Sequence, residues 1–210
     1  MNDTILTILA GAGVHLLVVV SPGPNFLVIS RTALAHSRRA ALGVTAGVTL
    51  GAFIIIASGF LGASAVFTQS ERLFNGARLA GAAYLVFLGF KALIGVARQR
   101  RTPYRTPVAG DAPTPTAAFR LGLLTIASNA KAFVYFLVFF TAVVAPDDPI
   151  AARVILVFVM PSITFGWYAF IATAFANDRM RSLYARARTP IEILFGVLLI
   201  GLGVEIAIAV

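Results

Sequence analysis

Ser21-Pro22-Gly23-Pro24-Asn25-Phe26-Leu27 sits inside the first hydrophobic run of the chain, and its reading decides the fold. Each proline removes an amide donor and clashes with the carbonyl four residues back, and Gly23 loosens the backbone between them. A helix through this stretch has to break or kink. In hydrocarbon, carbonyls freed in this way are tolerated only against protein or a water-filled cavity. Pro22, Gly23, Pro24 and Asn25 are therefore expected to line an internal space; the alternative is a proline kink packed against neighbouring helices. Asn25 brings both a donor and an acceptor. It stands where a second half-helix begins, whose positive end would face an anion.

That the surroundings are hydrocarbon follows from composition. Of 210 residues, 59% are hydrophobic and only 12% charged, with mean hydropathy +0.91. Soluble domains hold roughly twice that charged fraction, about 25%. Six apolar segments run at about 5–29, 41–67, 74–97, 118–144, 150–176 and 190–210, each near the ~20 residues that cross a bilayer. No Lys or Arg precedes the first run, and Asp3 does, so this run reads as a retained span and not as a cleaved leader.

The net charge of +9 is spread between the apolar runs and does not form one basic face, so it does not indicate nucleic-acid binding. Twelve Arg fall in the 1–2, 3–4 and 5–6 loop regions and three in the others. This asymmetry places the Arg-rich loops in the cytoplasm and both termini outside. The acidic loop 145–149 then falls outside as well. The chain has no Cys, which excludes disulfides, thiolate chemistry and Cys-linked lipid anchors.

The stretch 98–117, rich in Arg, Thr, Pro and Gly, reads as a cytoplasmic linker between a first three-helix repeat (1–97) and a second (118–210). Three spans per half force the second half to enter the membrane from the opposite side, the arithmetic of an inverted repeat. Ser128-Asn129-Ala130-Lys131-Ala132-Phe133 in span 4 answers the tetrad of span 1, so spans 1 and 4 are both expected to be interrupted. The fold expected is thus all-α and integral to the membrane, with six helices in two inverted repeats.

Lys131 is the sharpest chemical feature, because a central Lys costs about 2.5–3.5 kcal/mol on insertion scales. Two functional roles are open: a cation for a substrate carboxylate, or a proton carrier. Pairing with Glu205 for assembly alone is the structural alternative. Glu205 and His15 are further candidates for proton coupling, although Glu205 lies near a helix end and a lone His is as often a packing residue. Glu192 reads as a first-turn acid favoured by the helix dipole, and Lys91 as a snorkelling residue. Tyr84, Trp167 and Tyr168 read as packing residues that could also wall a pocket. Gly43, Gly47 and Gly51 form a small-residue helix face, fit for the bundle or for a homodimer. No metal cluster, nucleotide loop or catalytic triad is visible, so neither an enzyme nor a bound cofactor is expected.

Together, Pro22-Gly23-Pro24-Asn25, Asn129-Ala130-Lys131-Ala132, the stretch Gly81 to Gly89 and the helix Gly196 to Gly203 resemble the LysE/RhtB family of bacterial amino-acid exporters along nearly the whole chain. Ala130 departs from that family's proline, which suggests a milder break in span 4. The resemblance implies export of amino acids or their derivatives across the bacterial inner membrane, driven by the proton gradient. Alternating access would expose a site formed by Pro22–Asn25, Asn129 and Lys131. A non-transporting membrane scaffold, or an exporter of another small solute, is the rival reading.

Overall fold

The tetrad does interrupt the first span. In the computed structural model, which describes residues 2–67, 71–99, 111–140, 149–175 and 177–208, α1 (Asn2–Val20) stops just before it and α2 (Pro24–Ala35) starts inside it, bent by 54°. Pro24 takes the first turn of α2, where a missing amide proton costs nothing. The other helices are α3 (Arg38–Phe67), α4 (Glu71–Gln99), α5 (Pro115–Ala127), α6 (Ala130–Val138), α7 (Ile150–Ala174) and α8 (Asp178–Ile208), and no strand occurs among the described residues. Among the described residues, four helices are long and apolar enough to cross a membrane, and the bent α1–α2 pair makes a fifth candidate. The expected span 118–144 is represented by the shorter α5 and α6; residues 141–144, most of the acidic loop and linker residues 100–110 lie outside the described residues.

One expectation fails. The 5–6 loop region is helical, because α8 begins at Asp178 and runs through Pro190. Arg, Ala, Leu and Met are strong helix formers, and a single proline is tolerated where other groups take up the freed carbonyl. Glu192 is consequently no first-turn residue; it lies well inside α8 and is buried.

Packing follows the small residues, since lipid is as apolar as Leu and association rests on close contact. Gly43, Gly47 and Gly51 of α3 meet Ala118, Phe119 and Ile126 of α5. This glycine face is therefore filled within the chain and is not free for a second copy. Gly89 of α4 meets Gly196 of α8, and Gly203 meets Ala82. One core joins α1, α2, α3, α5, α6 and α7 around Ile29, Val44, Leu156 and Met160; a second holds α4 to α8 through Leu85, Phe195 and Leu199. Leu6, Leu9, Leu124, Phe158 and Val197 point outward, as a lipid-facing surface requires. The α4–α8 pair stands beside the main core, with an open space between it and the two breaks.

Candidate functional site

Span 4 breaks without a proline. The Ser128 hydroxyl donates to the Leu124 carbonyl, and the Asn129 backbone is extended. Such local side-chain bonds offer the backbone an alternative to the helix ladder. Asn129 occupies the N-cap of α6 yet makes no side-chain cap bond. Its Nδ2 donates instead to Asn25 Oδ1 at 3.1 Å, joining the two broken spans. Asn129 Oδ1 is buried with no hydrogen-bond partner. Asn25 also reaches the Tyr168 hydroxyl.

Lys131 lies against the other break. Its Nζ donates to the Ser21 hydroxyl and, at 3.4 Å, to the Ser21 carbonyl, which lies in the break between α1 and α2. A Cβ built on Gly23 would sit 3.5 Å from Nζ, an ordinary contact distance, so the lysine stem lies along the break. Ser21, Gly23, Asn129 and Lys131 line two cavities at once and form a polar septum between them.

On one side is a small cavity of about 40 Å³, space for about three or four waters. His15, Tyr135, Thr164 and Tyr168 line it. Tyr135 Oη lies 3.1 Å from His15 Nδ1, and Thr164 Oγ1 lies 2.9 Å from Nε2. Thr164 donates to the Met160 carbonyl, which leaves its oxygen to accept from Nε2–H and Nδ1 to accept from tyrosine. Both ring nitrogens of His15 are thus hydrogen-bonded, across α1, α6 and α7.

On the other side is a vestibule of about 490 Å³ between the two breaks and the α4–α8 pair. Tyr84, Lys91, Gly95 and Glu192 line it. Glu192 reaches this wall because the Arg-rich stretch before it is helix, and it does not stand at the helix end that its sequence position suggests. Lys91 is exposed, 5.9 Å over the Phe87 ring. Trp167 packs against Phe170. Glu205 is exposed and lines neither cavity. The structure thus brings His15, Asn25, Asn129 and Lys131 to one place and leaves Glu205 outside it. No group of metal-ligating side chains occurs among the described residues.

The family described as LysE type translocator matches residues 3–210. The chain belongs to the LysE family. It is 30% identical over 198 residues to a threonine efflux protein of Salmonella typhi, covering 94% of this chain and 96% of that protein. It is 28% identical to a threonine efflux protein of Escherichia coli, covering 98% and 99%. A leucine efflux protein of Klebsiella pneumoniae is 29% identical, covering 79% and 76%. No solved structure matches. As a LysE family member with several long apolar helices, the chain is a multi-pass membrane protein.

Proposed function

We propose that this LysE family chain is a secondary exporter of amino acids across the bacterial inner membrane, coupled to protons and working by alternating access. The observation that carries the reading is the septum. Two interrupted spans meet through Asn25–Asn129 and Ser21–Lys131, with a cavity on either side. Lys131 and the amides would hold a substrate there, its carboxylate on the lysine. The relatives named for threonine and leucine efflux support an amino acid as cargo.

In this reading the six spans form two inverted repeats. Part of the packing follows it: α5 packs on α3 as α1 packs on α7, and α6 contacts α3 as α2 contacts α7, while the α2–α3, α2–α5 and α4–α6 contacts have no counterparts of similar extent. Such exchanges are what a pseudo-two-fold axis in the membrane plane produces. With the Arg-rich loops in the cytoplasm, Lys91, Gly95 and Glu192 lie on the cytoplasmic side, so the vestibule is the inward-facing entrance. The His15–Tyr135–Thr164 network then closes the outward path.

Proteoliposomes test the export. Purified protein should release L-threonine or another amino acid from loaded vesicles faster than protein-free controls, and faster still under an imposed pH gradient. A flat response across an amino-acid panel overturns the reading. Orientation is tested separately, with single cysteines in a chain that has none. In intact cells an impermeant maleimide should label Ile150→Cys and miss Ser37→Cys and Gly95→Cys; inverted vesicles should reverse the pattern. A Cβ at Gly95 meets nothing within 4 Å, so the substitution fits.

A further inference from the structure

We propose that Glu192 binds the ammonium group of the exported amino acid, opposite Lys131 in the same vestibule. The proposal rests on the exporter reading. Glu192 is 6% exposed, the fourth residue of the apolar stretch Thr189–Ile208 of α8, and a carboxylate held out of water calls for positive charge or hydrogen-bond donors around it. The vestibule is lined by two cations, Lys91 and Lys131, and Glu192 is the one anion among its described lining residues. A zwitterion needs both signs. Lys131 supplies the counter-charge for a carboxylate, and Glu192 supplies it for an ammonium. A second acceptor stands in the same wall. Asn129 lines the vestibule, is itself 5% exposed, and its Oδ1 is buried without a partner. An ammonium has three donors to place, and a carboxylate with an amide oxygen takes two of them. The two acceptors come from α8 and from the cap of α6, so a bound zwitterion would draw the α4–α8 pair toward the broken spans.

The experiment is competition in proteoliposomes transporting L-threonine, using two analogues. In 2,3-dihydroxybutanoate a hydroxyl replaces the ammonium; in threoninamide an amide replaces the carboxylate. Wild-type protein should prefer threonine to 2,3-dihydroxybutanoate by roughly thirtyfold or more, the scale for losing one partner of a buried charge pair. Glu192→Gln should lose that preference, while Lys131→Met should lose the preference for threonine over threoninamide. A Glu192→Gln protein that still prefers threonine overturns the assignment. So does a wild-type protein inhibited equally by threonine and 2,3-dihydroxybutanoate, a result that depends on no variant folding. Failure of the wild type to move any amino acid overturns the exporter reading instead, and this proposal falls with it.

Discussion

Replacing Lys131 with alanine should lower amino-acid export roughly 30-fold or more, since truncating one partner of a buried, hydrogen-bonded charge pair costs about 2–5 kcal/mol. The same substitution should leave the amount of protein in the membrane unchanged or slightly raised. A lysine in the middle of a membrane span costs about 2.5–3.5 kcal/mol on insertion, and alanine removes that burden. The two readouts thus move in opposite directions, which a merely structural lysine would not produce. A lysine held for assembly ties Ser21 to α6, and its loss would lower folded protein and transport together. Transport per molecule, measured with the variant quantified by size-exclusion chromatography, separates the cases. Wild-type transport by Lys131→Ala would remove Lys131 from the site.

The second large effect concerns the crossing of α3 and α5. A Cβ on Gly47 would overlap the Phe119 carbonyl oxygen and lie 2.8 Å from the Leu123 nitrogen; a Cβ on Gly122 would overlap the Val44 carbonyl oxygen. These obstacles are backbone, so no rotamer change relieves them. Overpacking usually costs about 1–3 kcal/mol, occasionally more, and Gly47→Val and Gly122→Val stand at the upper end because two helices must part. Both variants should lose the monodisperse peak in detergent and melt at lower temperature. Gly13→Ala and Gly166→Ala, where a Cβ meets nothing within 4 Å, should behave as wild type. A Gly47→Val protein with wild-type melting behaviour would show that the helices do not cross here.

The parts of this molecule that were legible in sequence are those written in local chemistry. Pro22 and Pro24 end a helix wherever they stand, and the break lies between Val20 and Pro24. Span 4 breaks at Ser128 and Asn129 without a proline, where the Ser128 hydroxyl bonds the Leu124 carbonyl and the Asn129 amide bonds Asn25. Lys131 stood out by cost alone. What was not legible depends on distance or on register. His15, Tyr135 and Thr164 are up to 149 residues apart, and nothing around any of them signals the others. Glu192 was misjudged because hydropathy cannot tell a polar helix from a loop. Once α8 is seen to start at Asp178, the same glutamate moves from a helix end to the wall of the vestibule. The face formed by Gly43, Gly47 and Gly51 was legible as a contact surface, though only the fold says that α5 fills it.

The shared wall of the two cavities has a consequence for the cell's energy supply. An exporter with a continuous polar path would short-circuit the membrane, letting protons and potassium run down their gradients whether or not cargo was present. Here the polar groups that line both cavities among the described residues, Ser21, Asn129 and Lys131, are bonded across the two halves of the chain, Ser21 to Lys131 and Asn129 to Asn25. Under the proposed alternating access, an empty carrier would have to give up those contacts before its halves could part, with nothing to replace them. A zwitterion carries its own donors and acceptors and can take their place as it enters. On that proposal, idle molecules would be held shut by their own hydrogen bonds, and the cargo would lower the barrier to its own passage.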